Sequence, residues 1–118
     1  MQQTGISLRM NEPEVETQHT PSPKVDISIV VPVMNEEKSV GVLFERVSEQ
    51  VAQLQKTYEI IFVDDGSTDA TFSELQKLYA QYQDIVRVVR FRRNFGKTPA
   101  LVAGFSRARG DIIFTMDG

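Results

Sequence analysis

The sequence predicts an α/β fold in which helices cover a mostly parallel sheet. Two observations lead to this class. Short apolar runs rich in β-branched residues alternate strictly with amphipathic stretches at helical spacing, which gives the order β-α-β-α-β-α-β from residue 25 onward. The chain also has 118 residues, 41% hydrophobic and 25% charged, which suits one ordinary soluble domain.

The first strand and helix follow a polar N-terminal segment. Residues 1–24 are rich in Gln, Glu, Thr, Ser and Pro, and this composition predicts a disordered tail. The run from Ile27 to Val33 is almost continuously apolar, as in a strand that is buried on both faces. Asn35 is the predicted N-cap of the first helix, with two glutamates in the first turn, where the helix dipole favours anions.

The other elements follow at regular intervals. Tyr58 to Val63 is the second predicted strand and Ile85 to Phe91 the third, with an amphipathic helix between them. Thr98-Pro99 predicts the start of a third helix, because proline suits the first helical position, and Gly110 predicts its end. Residues 111–116 form the fourth strand, so the alternation predicts parallel strands joined by right-handed crossovers.

Composition excludes several classes of function. There are no cysteines, so disulfides, thiolate metal sites and cysteine nucleophiles are ruled out. The single histidine, His19, lies in the polar tail, which argues against a Ser-His-Asp triad. A net charge of −3 argues against a nucleic-acid partner. No apolar run approaches the ~18 residues of a membrane span and no signal-peptide core is present, so a cytoplasmic location is expected.

Polar residues are concentrated directly after the predicted strands. In parallel sheets, ligands bind outside the carboxyl ends of the strands. The segments at those ends combine acids, small residues and cations, and they comprise residues 32–37, 64–69, 92–97 and 117–118. Cations suit phosphate oxygens and carboxylates suit a hard divalent metal, so the edge predicts a phosphorylated ligand with a metal ion.

Local structure offers another explanation for each segment. Asn35 and the glutamates after it are also ordinary helix-start residues, and residues 64–67 are also compatible with a turn and a cap. Two adjacent acids repel each other, which favours a functional role for Asp64 and Asp65. Arg87 and Arg90 are interpreted as a solvated strand end, whereas Lys97 precedes a helix N-terminus, where anions collect.

Neighbouring nucleotide-binding motifs do not fit. Gly96-Lys97-Thr98 matches the end of a P-loop, but position 91, where the motif needs glycine, holds Phe91. The first strand is not followed by the G-x-G-x-x-G of dinucleotide-binding folds. A phospho-receiver module would carry acids after the first strand and an aspartate after the third, where this chain has Asn-Glu and arginines.

The four strand-end segments together resemble the family 2 glycosyltransferases, which have the Rossmann-like GT-A fold. The matching stretches, in order and spacing, are VPVMNEE, EIIFVDDGSTD, RNFGKTPAL and ARGDIIFTMDG. RNFGK points to the polyprenyl-phosphate or dolichyl-phosphate sugar transferases. The resemblance covers residues 26–118 and implies the strand order 3-2-1-4, with the last strand at an edge. It also implies that residues 25–118 are the truncated N-terminal, nucleotide-sugar-binding part of a longer domain.

The resemblance assigns roles to residues that share the carboxyl edge of the sheet. It implies a nucleotide-sugar-binding set made of Pro32, Asn35, Glu36, Asp64, Asp65, Ser67, Arg93 and Lys97. Asp64 and Asp65 would hold the base and ribose, and Arg93 and Lys97 would lie near the diphosphate or the acceptor phosphate. Asp117 matches the first acid of the family's Asp-x-Asp motif, which binds Mg²⁺ or Mn²⁺. Any catalytic base is expected beyond residue 118.

The implied activity is transfer of a hexosyl group from a UDP- or GDP-linked sugar to undecaprenyl or dolichyl phosphate. The enzyme would act at the cytoplasmic face of a membrane, with a missing C-terminal part as the membrane attachment, and the 118-residue chain alone would be inactive. One alternative is a family member with a saccharide acceptor in cell-envelope or polysaccharide synthesis. The other is a non-catalytic, truncated nucleotide-binding module.

Overall fold

A five-stranded sheet with three helices forms the part of the chain that the computed structural model describes, residues 15–18 and 24–116. In chain order the elements are β1 (Val15–Gln18), β2 (Ile27–Val33), α1 (Val40–Ala52), β3 (Tyr58–Asp64), α2 (Thr71–Gln81), β4 (Val86–Phe91), α3 (Lys97–Arg107) and β5 (Ile112–Thr115). The strand order is β1-β4-β3-β2-β5, and β4, β3, β2 and β5 are mutually parallel. The four strands predicted from residue 25 onward are β2, β3, β4 and β5 in this numbering. The predicted α/β class and the predicted order 3-2-1-4 are therefore confirmed.

The central strands are buried on both faces because alternate side chains meet different helices. On one face, Ile29 and Val31 of β2 join the core beneath α1 and α2, together with Phe44. On the other face, Val30 belongs to a second core beneath α3. A Cβ at Gly104 would lie 2.2 Å from Cγ1 of Val30, so glycine allows α3 to approach the sheet closely.

The strand β1 corrects part of the prediction for the N-terminal segment. Residues 1–24 were expected to be disordered, but Val15–Gln18 pairs antiparallel with β4, with Val15 opposite Phe91 and Gln18 opposite Val88. The edge of β4 offers unpaired backbone groups, and pairing with them requires no amphipathic pattern in the incoming segment. Residue 24 is exposed and lies in no helix or strand. The rest of that prediction concerns residues 1–14 and 19–23, which lie outside the described residues.

The helix starts also differ from the sequence prediction. Asn35 does not cap α1, because its φ of 53° is left-handed and the N-cap is Ser39. Likewise α3 begins at Lys97 behind Gly96 as N-cap, so Thr98 is not the cap and Pro99 is the third helical residue. In both cases contacts with another loop, described below, fix the backbone ahead of the helix.

Arg87 is buried, so its assignment to a solvated strand end is wrong. It is 7% exposed, and its Nη1 donates to Oε1 of Glu59 at 3.0 Å. Arg90 is half-buried, with its guanidinium carbon 4.2 Å from the ring centroid of Phe72. Both arginines therefore contribute to packing and pairing along β4.

Candidate functional site

Two loops at the carboxyl edge are joined by hydrogen bonds between their backbones and side chains. Because Asn35 is left-handed, its N–H reaches Ser67 Oγ at 2.8 Å, and its Oδ1 accepts the N–H of Thr68 at 2.9 Å. Next along the chain, the N–H of Glu36 donates to Thr71 Oγ1 at 2.8 Å. The β2–α1 and β3–α2 loops are thereby held in one arrangement.

A second set of contacts between these loops involves Glu37 and Asp69. Glu37 Oε1 accepts the N–H of Ala70 at 2.9 Å, and Asp69 Oδ2 accepts the N–H of Glu37 at 3.3 Å. Asp69 Oδ1 accepts the N–H of Thr71 at 2.9 Å, an Asx turn at the start of α2. Desolvation opposes ionisation of Asp69, but the hydrogen bonds from Thr71 and Glu37 outweigh it and lower its pKa.

Asp65 holds the β4–α3 loop against the end of β3. Its Oδ1 accepts the N–H of Phe95 at 2.8 Å, and its Oδ2 accepts the N–H of Gly96 at 3.0 Å and the side-chain amide of Asn94 at 2.9 Å. The same amide reaches the carbonyl oxygen of Asp65 at 3.2 Å. Asp65 is 5% exposed, so its carboxylate is enclosed by these donors, and it occupies the N-terminal end of α3 as an internal anion.

Asp64 is the acid whose hydrogen bonding is incomplete. The residue is fully buried, and its Oδ1 accepts the N–H of Ser67 at 2.9 Å. Its Oδ2 has no hydrogen-bond partner among the described residues. Buried polar atoms are nearly always paired in folded proteins, so this oxygen is suited to accept a donor from outside the described residues.

Gly66 explains how the two acidic residues and the basic loop come so close. Its φ is 76°, and a Cβ at this position would lie 2.1 Å from the carbonyl carbon of Arg93 and 2.4 Å from the backbone nitrogen of Asn94. Only glycine fits such an approach without displacing backbone. The turn after β3 and the loop after β4 are therefore in direct contact.

The cations of this edge lie on the β4–α3 loop and the start of α3. The guanidinium carbon of Arg93 lies 4.4 Å from the ring centroid of Phe95. Lys97 is the first residue of α3, next to the backbone that Asp65 holds. Two cationic residues thus lie close in sequence to the backbone that the enclosed carboxylate of Asp65 holds.

Most of the residues predicted for the site come together at this edge. Asn35, Glu36 and Ser67 meet in the joined loops, while Pro32 is buried in β2 opposite Val63. Asp117 lies outside the described residues. Sequence reasoning missed Asn94, whose amide joins Asp65 and approaches the sulfur of Met34 at 3.6 Å, although it lies inside the RNFGK stretch.

The described residues hold no group of three or more His, Cys, Asp or Glu side chains placed to bind a metal ion. The carboxylate of Asp64 has one oxygen without a hydrogen-bond partner among these residues. Within the same residues, no helix has the length and hydropathy of a membrane span.

The comparison with protein families gives the identity of this fold. The profile of Glycosyl transferase family 2 matches residues 28–118, more than half of the chain. The chain belongs to glycosyl transferase family 2. The match begins in β2 and takes in all four strand-end segments described above.

Curated relatives of this family 2 chain are much longer. Dodecaprenyl-phosphate galacturonate synthase from Rhizobium johnstonii is 46% identical over 98 residues, which are 83% of this chain and 29% of the relative. Undecaprenyl-phosphate 4-deoxy-4-formamido-L-arabinose transferase from Pectobacterium carotovorum is 40% identical over 92 residues, 78% of this chain and 28% of the relative. The chain therefore spans less than a third of these relatives.

Solved structures agree with the GT-A assignment of the fold. Mannosyltransferase PcManGT from Pyrobaculum calidifontis, in complex with GDP-Man and Mn²⁺, superposes with a TM-score of 0.70 at 22% identity, covering 94% of this chain and 32% of that one. Staphylococcus aureus TarS gives 0.62 at 24% identity, covering 78% of this chain and 16% of that one. At these identities the likeness concerns the fold.

Proposed function

We propose that this chain is the nucleotide-sugar-binding part of a metal-dependent glycosyltransferase that transfers a hexosyl group to a polyprenyl phosphate. The donor would be a UDP- or GDP-linked sugar bound at the carboxyl edge of the sheet. The whole protein would work as a peripheral enzyme at the cytoplasmic face of a membrane, where a lipid phosphate is accessible.

The observation that carries the donor site is the buried Oδ2 of Asp64, which has no partner among the described residues, at the edge that also bears Arg93 and Lys97. An N–H of a nucleobase or a hydroxyl of a ribose is a donor that would satisfy this oxygen. The two cations would meet the diphosphate, because guanidinium and ammonium groups form charge-assisted hydrogen bonds with phosphate oxygens. One edge of the sheet thus offers groups for both ends of a nucleoside diphosphate.

The remaining residues of the proposed site shape it. The contacts of Asn35, Glu36 and Ser67 fix the two loops that would enclose the nucleotide, and Pro32 lies buried just before the end of β2. Asp65 holds the loop before α3 in place by accepting hydrogen bonds from two backbone N–H groups and from the side-chain amide of Asn94. A site whose loops are already fixed by hydrogen bonds loses little conformational entropy when a ligand binds.

Mg²⁺ or Mn²⁺ suits this proposal because carboxylate oxygen is the ligand that such hard cations prefer. Asp117, which follows β5 in the chain, is the residue we propose for it. When bound, the cation would offset the negative charge that develops on the departing nucleoside diphosphate. Arg93 and Lys97 would stabilise the same developing charge.

The acceptor proposal rests on the relatives. The names of both curated relatives given above contain a polyprenyl phosphate, and the one from Rhizobium names a galacturonate, a six-carbon sugar. The mannosyltransferase with the same fold was solved with GDP-Man and Mn²⁺, which fits a donor and a metal of the proposed kind. A phosphate acceptor is already anionic, so its attack on the sugar needs little help from a general base.

Calorimetry with UDP and GDP, each with and without Mn²⁺, tests the donor site. We expect binding of at least one nucleotide to the 118-residue chain, strengthened by Mn²⁺ and weakened about tenfold or more by Asp65→Ala, which releases the loop with Arg93 and Lys97. Asp84→Ala is the matched control, since Asp84 is exposed and precedes β4 at the other edge of the sheet. Absence of binding by every nucleoside diphosphate would overturn the assignment.

A further inference from the structure

The amino ends of the central strands contain a second polar cluster that the proposed transfer reaction does not use. Glu59 of β3, Arg87 of β4 and Ser28 of β2 are buried there, at 2%, 7% and 0% exposure. Glu59 Oε1 accepts from Arg87 Nη1 at 3.0 Å, and Glu59 Oε2 accepts from Ser28 Oγ at 2.6 Å. One side chain from each of three neighbouring strands thus joins the cluster.

This cluster holds the turn that connects α3 to β5. Glu59 Oε2 also accepts the N–H of Arg109 at 2.8 Å, and Ser28 Oγ accepts the N–H of Gly110 at 2.8 Å. Arg87 Nη1 donates to the carbonyl oxygen of Arg107 at 2.7 Å. The last carbonyl group of α3 and two N–H groups of the turn after it are therefore bound by three buried side chains.

Gly110 shows how tightly this turn lies on the sheet. A Cβ there would be 2.6 Å from the backbone nitrogen of Ser28 and 2.7 Å from the carbonyl carbon of Ile27. Any larger residue would push the turn away from β2. The start of β5 is therefore fixed in relation to β2 by contact as well as by hydrogen bonds.

The strand β5 depends on this turn because side-chain packing does little to fix its register. Ile112, Ile113 and Phe114 are 55%, 41% and 48% exposed, so the described residues bury neither face of the strand. Register is strongly specified where one face of a strand is buried and weakly specified where it is not. If β5 slipped by two residues along β2, each of its side chains would still point to the same face of the sheet. The N–H groups of Arg109 and Gly110 would, however, lose their acceptors on Glu59 and Ser28.

Such a slip would matter at the other end of β5. The strand runs parallel to β2, and the N–H of Met116 donates to the carbonyl oxygen of Val30 at 3.0 Å as the chain approaches the carboxyl edge. Asp117 is the next residue in the chain. Two residues of strand correspond to about 6.6 Å, whereas a carboxylate must lie about 2.0–2.6 Å from the metal that it binds.

We propose that Glu59 is a positioning residue which, with Arg87 and Ser28, locks the register of β5 against β2 and so sets where Asp117 enters the site. The role of Asp117 rests on the proposed function, whereas the register lock does not. The cluster lies at the opposite edge from the proposed nucleotide site, and β5 is the element that connects it to Asp117.

Hydrogen exchange in Glu59→Gln tests the register lock. An amide side chain places a donor where Glu59 has only acceptors, so at least one of its contacts with Arg87, Ser28 or the turn is lost. We expect the amides of Ile112 and Met116 to exchange on the order of tenfold faster than in the original chain, as for loss of one hydrogen bond to a charged group. The amide of Ile60, bonded to the carbonyl oxygen of Ile85 at 2.8 Å, serves as the internal reference.

Two further variants separate the lock from general loss of stability. Ser28→Ala removes the acceptor of Gly110 without stranding the charge of Arg87, so it is expected to fold and to show a smaller change of the same kind. Leu75→Ala opens a cavity under α2, which packs on β3 and β4, and serves as a control of lowered stability. If β5 amides in Glu59→Gln exchange no faster than in Leu75→Ala at equal stability, the lock is refuted.

Nucleotide binding tests the consequence for the site. Glu59→Gln is expected to weaken the Mn²⁺-dependent part of GDP or UDP affinity while leaving the metal-free affinity unchanged, because Asp64 and Asp65 lie at the opposite edge. Selective loosening of β5 with full Mn²⁺-dependent affinity would overturn the positioning role. If the original chain binds no nucleotide at all, the proposed function fails, and the exchange experiment still decides the register lock.

Discussion

The two ends of β3 carry buried carboxylates with different hydrogen-bond partners. At the amino end, Glu59 is paired with Arg87 and all of its contacts come from the protein's own turn and strands. At the carboxyl end, Asp65 is surrounded by N–H donors, and the neighbouring Asp64 keeps one oxygen unpaired among the described residues. Both carboxylate oxygens of Glu59 are paired at the amino end, whereas at the carboxyl end Oδ2 of Asp64 has no partner among the described residues.

Both ends of α3 are held by side chains from the central strands or from the residue after β3. Asp65 binds the backbone just before α3, and Glu59 and Arg87 bind the backbone just after it. Both carboxylates come from β3 or the residue after it, so one strand fixes both ends of the helix. The networks at the two ends of α3 can therefore be tested separately by changes confined to each end.

The largest expected effect is at the amino end of β3, where Glu59 pairs with Arg87. Glu59→Ala leaves the charge of Arg87 buried without its partner, and we expect a loss of about 3–5 kcal/mol in the free energy of unfolding. Urea denaturation followed by circular dichroism measures it. Glu45→Ala, on the exposed side of α1, is the control and should leave the midpoint unchanged. A loss below about 1 kcal/mol in Glu59→Ala would contradict this expectation. It would mean that the attraction between Glu59 and Arg87 barely exceeds the free-energy cost of removing the two charges from water.

A somewhat smaller effect is expected at the carboxyl end of β3 from Gly66→Ala. The added Cβ meets the backbone of Arg93 and the positive φ is unfavourable, so we expect a loss of about 2 kcal/mol or more in unfolding free energy. The free energy is again measured by urea denaturation.

Gly41→Ala is the matched control for this change. Gly41 lies in α1 with no atom within 4 Å of the added Cβ, and alanine there should stabilise the helix by about 0.5–1 kcal/mol. Equal effects of the two substitutions would contradict a specific close approach between the turn after β3 and the loop after β4.

The smallest expected effect is a loss of stability in acid that both edges share. Hydrogen bonds from the N–H and hydroxyl of Thr57 lower the pKa of Asp26 at the amino edge, as those from Thr71 and Glu37 lower that of Asp69 at the carboxyl edge. A carboxyl with a lowered pKa in the folded state stabilises the fold above its unfolded pKa of about 3.9. This contribution is lost as the pH falls through the folded pKa.

Urea midpoints at pH 5 and pH 3, with NMR titration of both carboxyl groups, measure that loss. Asp26→Asn and Asp69→Asn should each make stability less dependent on pH in this window. If either carboxyl titrated at or above its ordinary pKa, the hydrogen bonds described at that edge would not persist in solution.

The sequence by itself determined the elements from residue 25 onward and the edge at which polar groups gather. Continuous apolar runs such as Ile27–Val33 can be satisfied only by burial on both faces, and helical spacing between them leaves a parallel sheet as the solution. Since parallel strands bring their carboxyl ends to one edge, Asn35, Asp64, Asp65 and Lys97 were bound to lie near one another.

Only the tertiary structure decided what those residues do for the fold. Asn35 bridges two loops instead of capping α1, because its partner Thr68 is distant in sequence and no local pattern reports it. Arg87 is buried because Glu59 arrives from the neighbouring strand, and Val15–Gln18 joins the sheet because the edge of β4 is open to it. Periodicity records which side chains avoid water, but pairings between segments distant in the chain depend on geometry that arises only when the strands assemble.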